Sequence, residues 1–242
     1  GAGSLTVGSG GITVTLPTTT GRTHTISESN LALGANQIWS VTNNTGAARL
    51  DVNSIISGAS AGITKMGNGT LALGGANTFG GGLTVNEGSL IAQTNAGAMG
   101  GGAVYLGNTS GSVNAALLMA QSLVFNNPIT VRAGNSGTMT INNNTFASPT
   151  LAGTITLDKA LTLTNNDNSA PYGTLTVSGK ITGGNGLTIP ASNAAGLITL
   201  SNATNDYTGT TAINSGPVRL RKPRQHRGHG GVRGHACRRG IH

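Results

Sequence analysis

Six acidic side chains are the groups in this sequence that could serve a hydrolase or a lyase: Glu28, Asp51, Glu87, Asp158, Asp167 and Asp206. Glycoside hydrolysis needs two carboxyl groups that flank the scissile bond, and a calcium site needs several carboxylates around one ion. The acids here are isolated, and the closest pair is Asp158 and Asp167. Because isolated acids are typically solvated turn residues, we predict no catalytic residue. A polysaccharide-active enzyme, lyase-like or hydrolase-like, stays open because distant residues can meet on a folded surface.

His24 is the single histidine of residues 1–216. A Ser-His-Asp triad would need it as the general base, but no nucleophile motif accompanies it. It shares the strand parity of Ile26, which predicts a side chain that points partly inward. We interpret it as a structural histidine, because catalytic roles require a matching geometry of partners.

The glycine-rich stretch 64–90 raises the possibility of phosphate binding. A P-loop ends in Gly-Lys-Ser/Thr, and no such end follows Gly67-Asn68-Gly69, so we predict an ordinary turn there. Calcium-binding G-G-x-G-x-D nonapeptides are absent. Residues 1–216 contain no cysteine, which excludes disulfides and cysteine-ligated metals from that part. We therefore expect no cofactor and no metal site there.

Threonine pairs of the form Thr-x-Thr suggest a third chemistry, the binding of ice by a flat hydroxyl array. The pairs are Thr13/Thr15, Thr23/Thr25, Thr138/Thr140, Thr154/Thr156, Thr162/Thr164 and Thr174/Thr176. Their spacing is uneven, and threonine is a common residue on the outward face of β-strands. An ice-binding β-solenoid is retained as a further alternative, to be tested by thermal hysteresis.

The positive charge lies at one end of the chain. The 242 residues carry a net charge of +8, yet residues 1–216 hold six Lys/Arg and six acids and are neutral. Residues 217–242 hold the other eight Lys/Arg, no acid, four of the five histidines and Cys237. We therefore expect no nucleic acid partner for residues 1–216, and we place a domain boundary at Gly216.

Several interpretations fit the basic segment 217–242. Phosphate neutralisation could bind nucleic acid, but no aromatic residue is available for base stacking. His226, His229, His235 and Cys237 could bind metal, but their spacing matches no familiar zinc pattern. An authentic disordered tail is another possibility. Because the composition changes abruptly, we favour a frameshift or fragment-end product from about Pro217 onward that does not fold.

The pattern of residues 1–216 indicates an all-β fold. Short runs alternate apolar residues with Thr or Ala, as in Ile12–Leu16, Leu83–Val85 and Leu161–Leu163, and Gly, Asn, Asp and Ser separate them. The one helix candidate, Ala115–Gln121, is short and uncapped, and we predict a strand there. No apolar run of about 18 residues suggests a membrane-spanning helix.

One segment occurs twice. Residues 77–88 align with residues 205–216 in the frame N-x-aromatic-x-G-x(3)-aliphatic-N-x-G, and 69–73 align with 196–200. Short strands cannot bury a face alone, so direct repeats without covering helices favour stacked coils over a sandwich. At roughly 20–25 residues per coil, residues 1–216 would form about nine or ten coils.

These residues resemble the autotransporter-associated β-strand repeat, with units near 64–90 and 193–218. The resemblance implies a right-handed parallel β-helix in the passenger region of a bacterial surface or secreted protein. Such a segment would act as a stalk or adhesin-like scaffold without catalysis and would bind a cell-surface or host ligand. It also implies export across the outer membrane by a C-terminal β-barrel of the parent protein. The chain begins GAGSLTV, without Met or a leader, so we expect a fragment.

The residues expected to matter are therefore structural markers of the repeat, placed in turns, polar ladders or the core. They are Gly69, Leu71, Leu73, Asn77, Phe79, Gly81, Val85, Asn86, Gly88, Asn205, Tyr207, Gly209, Ile213, Asn214 and Gly216. Phe79 and Tyr207 are predicted to pack at equivalent places in their coils.

Overall fold

A computed structural model describes residues 3–16, 22–43, 48–166, 172–190, 196–214 and 216–220. These residues form twenty-five β-strands and no α-helix, so none of them belongs to a helix long and apolar enough to cross a membrane. The sequence explains this content, because turn residues separate alternating runs that form strands of two to seven residues.

The strands are numbered in chain order. The first eight are β1 (Ser4–Val7), β2 (Ile12–Leu16), β3 (Thr23–Ile26), β4 (Asn30–Leu33), β5 (Gln37–Asn43), β6 (Arg49–Val52), β7 (Ile55–Ser57) and β8 (Ile63–Met66). The next nine are β9 (Thr70–Leu73), β10 (Leu83–Val85), β11 (Gly88–Ala92), β12 (Val104–Leu106), β13 (Ala115–Met119), β14 (Val124–Phe125), β15 (Ile129–Val131), β16 (Met139–Asn143) and β17 (Thr150–Leu151). The last eight are β18 (Ile155–Leu157), β19 (Leu161–Asn165), β20 (Thr174–Val177), β21 (Ile181–Gly183), β22 (Leu187–Ile189), β23 (Leu197–Leu200), β24 (Thr211–Ile213) and β25 (Val218–Leu220).

Four parallel sheets run along the molecule. Sheet A is β1-β4-β7, and sheet D is β14-β17-β20-β23-β25. Sheet B is β2-β5-β8-β10-β12-β15-β18-β21, and sheet C is β3-β6-β9-β11-β13-β16-β19-β22-β24. Neighbours in a sheet come from successive coils of the chain, and every pairing among the described residues is parallel, as in the pairing of β5 with β8. The chain is therefore a β-solenoid, which confirms the predicted fold class.

The coil count differs from the sequence estimate. The solenoid makes about eight turns, one for each strand of sheet B, rather than nine or ten. The estimate was too high because several coils are long: Ser89 pairs with Ala116, and Leu161 pairs with Leu187. Their extra residues lie in the connections between faces.

Aliphatic columns fill the interior. In sheet B the inward residues Ile63, Leu83, Val104, Ile129, Ile155 and Ile181 stack in register and are at most 1% exposed. Each coil places a similar branched side chain on the previous one, so a core forms with few aromatic residues. The segment 115–121 contributes β13, as predicted.

Sheets A and D cover the same face of the solenoid, and two irregular segments join them. Residues 74–82 and 93–103 form no strand, yet they stack with normal backbone hydrogen bonds. Thr78 N donates to Ile56 O at 2.8 Å, and Gly101 N donates to Phe79 O at 2.9 Å. The face is therefore continuous although its strand ladder is interrupted.

Strand β25 lies beyond the predicted boundary at Gly216. It pairs with β23 and extends sheet D to Leu220. The remainder of the basic segment, residues 221–242, lies outside the described residues, together with the candidate ligands His226, His229, His235 and Cys237.

Candidate functional site

The two repeat units form the shortest coils of the solenoid. Within sheet C, Thr70 pairs with Ser89, a separation of 19 residues. Within sheet D, Ile198 pairs with Val218, a separation of 20 residues. Other steps in these two sheets are longer, up to the 27 residues between Ser89 and Ala116. The repeat thus specifies one compact coil with short connections between its faces.

The two units begin on different faces of the solenoid. In the first unit, Leu71 and Leu73 lie in sheet C and Val85 lies in sheet B. In the second unit, the matching Leu200 lies in sheet D and Ile213 lies in sheet C. The second unit is therefore displaced by one face, so Phe79 and Tyr207 do not occupy equivalent faces, contrary to the prediction.

Local geometry is nevertheless shared by the two units. The Asn77 side-chain carbonyl accepts the Ile56 N–H at 2.8 Å, and the Asn205 side-chain carbonyl accepts the Ile181 N–H at 2.8 Å. Asn77 also donates to Ala98 O at 2.7 Å and so bridges three coils. The next coil forms no strand at Asn77 or Asn205, so the N–H groups of Ile56 and Ile181 have no backbone acceptor in that coil. The asparagine side chain supplies the acceptor instead.

The aromatic residues of the repeat differ in burial. Phe79 is 0% exposed, with its ring against the backbone of Gly100, where an added Cβ would lie 2.8 Å from Phe79 Cζ. Tyr207 is half-buried against the core, and its hydroxyl lies 2.7 Å from Thr211 Oγ1. Tyr207 is less covered because it lies in the last described coil.

The repeat glycines serve two different purposes. Gly88 and Gly216 adopt positive φ, at 69° and 80°, as expected for turn glycines. Gly69, Gly81 and Gly209 lie instead where neighbouring coils approach too closely for a side chain. An added Cβ on Gly69, for example, would lie 2.8 Å from Val41 O.

The remaining markers divide between core and surface. Leu71, Leu73 and Val85 are fully buried, whereas Ile213 is 45% exposed at the end of sheet C. Asn86 Nδ2 lies 3.3 Å from Met66 Sδ, and its Oδ1 accepts from Arg132 at 3.4 Å. Asn214 is exposed, and its backbone N–H donates to Ile189 O at 2.9 Å. Their importance for folding stays a prediction.

Lys65 was missed by the sequence analysis. It lies in the inward column of sheet B between Trp39 and Val85 and is 0% exposed. Its Nζ donates to Met66 O at 2.9 Å, Gly67 O at 2.5 Å and Glu87 O at 3.0 Å. The parity of Ile63-Thr64-Lys65 was the signal that could have revealed it, because Lys65 shares the face of the buried Ile63.

Burial lowers the pKa of Lys65 from 10.5 to about 8, although the charge of Glu87 partly opposes this shift. An amine with a depressed pKa binds fewer protons when folded than when unfolded between pH 8 and pH 10.5. Stability therefore rises with pH across that window. Below pH 8 the amine is charged in both states, and the full desolvation penalty remains.

Replacing Lys65 with methionine removes this titration. We expect the wild type to gain up to about 3 kcal/mol of unfolding free energy relative to Lys65→Met between pH 7 and pH 10.5. Urea unfolding of both proteins at the two pH values measures this gain. Lys180→Met, at a side chain 39% exposed, controls for loss of a surface lysine. A pH-independent difference between wild type and Lys65→Met would contradict the assignment.

Three of the five described acids have side-chain partners. Asp51 forms an ion pair with Arg49, and Asp206 Oδ2 lies 2.6 Å from Lys180 Nζ. Hydrogen bonds from Lys180 and Thr182 lower the pKa of Asp206. Glu87 Oε2 accepts the Gly67 N–H at 3.2 Å. Asp167 lies outside the described residues, and the described ones contain no group of three or more His, Cys, Asp or Glu placed to hold a metal.

His24 is exposed, so it is not buried in the core although its parity predicted a side chain that points partly inward. It has the inward register of Leu50 and Leu71 in sheet C. Strand β3 is the first strand of that sheet, however, and pairs only with β6 among the described strands. The parity was correct, but no earlier described coil covers the side chain.

Outward threonines of sheet B form a single row from β8 onward, whereas Thr13 and Thr15 of β2 pair with Ser40 and Thr42 of β5 in a patch of two coils. In sheet B, Thr64, Thr84, Tyr105, Thr130, Thr156 and Thr182 stack in one row. Three-residue strands such as β18 offer one outward position each, and Tyr105 interrupts the row. Thr164 of the pair Thr162/Thr164 is buried at 7% exposure. This arrangement provides no flat surface of paired threonine rows in the described residues.

A known protein family matches this chain at the two short coils. The family described as the passenger-associated transport repeat matches residues 63–92 and 195–220, which contain them. The chain is also 31% identical over 215 residues to the adhesin BmaC autotransporter of Brucella suis biovar 1 (strain 1330). That alignment covers 89% of this chain but only 5% of the relative's length. No solved structure gives a significant match.

Proposed function

We propose that this chain, an autotransporter passenger-like repeat protein, is an adhesin-like segment that holds a binding surface on a rigid β-solenoid. The observation that carries the proposal is the continuous stack of parallel coils, in which both repeat units form compact turns. Parallel stacking creates straight outward rows of side chains, a geometry suited to extended contact with a partner surface.

The proposal includes the absence of catalysis. Three of the five described carboxylates, Asp51, Asp206 and Glu87, are each engaged with a partner from the solenoid itself. General acid–base catalysis needs a carboxyl group within reach of substrate and a second one opposite it. No observation favours the polysaccharide-active or ice-binding alternatives over the adhesin-like role.

We also propose a location outside the cell for this segment and a separate character for the basic residues 217–242. The parent protein would be exported through the outer membrane, with this segment at the cell surface or outside the cell. Residues 1–216 would form the solenoid unit and 217–242 a separate basic segment, although β25 shows that residues 218–220 still pair with the solenoid. Sequencing the gene through and beyond the Gly216 codon tests the frameshift hypothesis. Another reading frame that continues the G-x-L-x-L pattern would support it, and the absence of such a frame would contradict it.

Adhesion of coated beads tests the function. Beads that carry the full chain should be retained on epithelial cell monolayers well above albumin-coated beads. Because the basic segment could bind cells nonspecifically, beads with a 217–242 peptide are the matched control. Washing at high salt screens that contribution. Retention no greater than that of the peptide or albumin beads would overturn the adhesin-like function.

A further inference from the structure

Two exposed aromatic side chains occupy the same level of successive coils. Phe146 is 67% exposed and Tyr172 is 52% exposed. Each lies four residues before a strand residue, and those two residues, Thr150 and Thr176, are paired in sheet D. Gly173 packs against Ala147 between the two coils, which confirms the register. The backbone positions that carry the two rings are therefore separated by one strand spacing, about 4.8 Å along the solenoid axis.

A row of hydroxyl groups runs beside this pair. Ser122, Ser148 and Thr174 lie at equivalent positions of three successive coils. Ser148 N donates to Ser122 Oγ at 2.9 Å, and Thr174 N donates to Ser148 Oγ at 3.1 Å, both at the protein surface. Ser148 and Thr174 each lie two residues after an aromatic residue, so in extended backbone they face the same side.

Burial would stabilise an aromatic ring, so two rings turned to solvent in register are unusual in a chain with only 3% aromatic residues. Backbone next to each ring is bonded to a neighbouring coil. Asn144 N donates to Met119 O at 3.0 Å before Phe146, and Gly173 O accepts from Leu197 N at 3.3 Å after Tyr172.

The described side chains of this surface carry no charge. We call Phe146, Tyr172, Ser122, Ser148 and Thr174 the aromatic–hydroxyl face. The adjoining row of sheet D continues as Val124, Thr150, Thr176 and Thr199 and reaches a charged residue only at Arg219. A charged ligand would find no complementary group among these side chains. An uncharged ligand with apolar faces and many hydroxyl groups could pack on the aromatic rings and exchange hydrogen bonds with the hydroxyl row.

We propose that the aromatic–hydroxyl face binds an uncharged polysaccharide, which lies along the solenoid axis. Sugar rings would pack their C–H faces on Phe146 and Tyr172, and their hydroxyl groups would exchange hydrogen bonds with Ser122, Ser148 and Thr174, which can both donate and accept. Because the rows advance one coil at a time, successive sugars of one chain meet successive coils. This inference names the ligand class and rests on the proposed adhesin-like function.

A glycan array tests the inference with the full chain. The probes are immobilised neutral oligosaccharides, with sulfated and uronate-containing oligosaccharides beside them. The variant is Phe146→Ala/Tyr172→Ala, and the matched control is Tyr105→Ala, at an aromatic 39% exposed on sheet B. Circular dichroism checks that both variants fold, and no core contact is removed in either.

We expect the wild type to bind at least one neutral glycan and to keep that binding at high salt. The double variant should bind it at least about tenfold more weakly, and Tyr105→Ala should match the wild type. Binding to no neutral glycan, to charged glycans alone, or equally by the double variant would overturn the inference.

The bead assay separates this inference from the function on which it rests. If beads with the double variant adhere as well as wild-type beads, the adhesin-like function stands and the polysaccharide assignment falls. A protein partner elsewhere on the solenoid would then be indicated. If wild-type beads fail to adhere at all, the function itself falls.

Discussion

Replacing Phe79 with alanine is expected to lower the unfolding free energy by about 3–5 kcal/mol. The ring is fully buried and packs on the Gly100 backbone at the irregular face between sheets A and D. The ring and the Asn77 hydrogen bonds add to the backbone hydrogen bonds that join the coils at this face. A cavity at this point should loosen both neighbouring coils.

Urea unfolding followed by circular dichroism measures the loss. Tyr207→Ala is the matched control because Tyr207 occupies the same motif position but is only half-buried. We expect a loss there of about 1–2 kcal/mol, since less apolar surface is removed from the interior. Equal losses of unfolding free energy in the two variants would show that burial does not determine how much the aromatic residue of the repeat contributes to stability.

Replacing Gly88 with alanine is expected to lower the unfolding free energy by about 2–4 kcal/mol. Gly88 has φ of 69°, and an added Cβ would lie 2.5 Å from both Gly67 O and Gly69 O. The substitution combines backbone strain with a clash against the preceding coil, and backbone atoms cannot move aside as a flexible side chain can.

Three other glycines separate the two contributions to this loss. Gly111 has φ of 85° with open space around it, so Gly111→Ala measures backbone strain alone. An added Cβ on Gly179, whose φ is not positive, would lie 2.6 Å from the Gly153 carbonyl carbon, so Gly179→Ala measures the clash. Gly184 has neither feature and is the neutral control. A Gly88→Ala variant as stable as Gly184→Ala would contradict the close stacking of the coils.

The fold was largely predictable from the alternating runs. Leu83-Thr84-Val85 and Ile155-Thr156-Leu157 have the parity of strands with one buried face, and parity depends only on local backbone geometry. The direct repeat of residues 77–88 at 205–216, without helices to cover a sheet, then favoured stacked coils over a sandwich. The same parity correctly gives His24 the inward register, but the side chain is still exposed, because coverage depends on a neighbouring coil rather than on the strand itself.

Other features depend on the lengths of the connections between strands, which the alternating pattern does not predict. The rotation of the second repeat unit by one face follows from the lengths of all the intervening connections. The alignment of Phe146 with Tyr172 depends on a 26-residue step. The sequence carries a weak repeat at this spacing, in which Thr150 and Gly153 recur as Thr176 and Gly179, and the sequence analysis missed it. Lys65 was missed although its parity was readable, because three backbone carbonyls satisfy its ammonium group only once the turns at Gly67 and Glu87 are formed.

Spin-label distances along one outward row of sheet B test the stacked-coil architecture most directly. With Cys237 replaced by serine, cysteine pairs at Thr64/Thr156, Thr64/Thr182 and Ile38/Thr182 span four, five and six coil steps. Pulsed electron paramagnetic resonance should give label separations that rise by about 4.8 Å per step, near 19, 24 and 29 Å. Separations that do not increase with the number of coils, as in two face-packed antiparallel sheets, would contradict the solenoid.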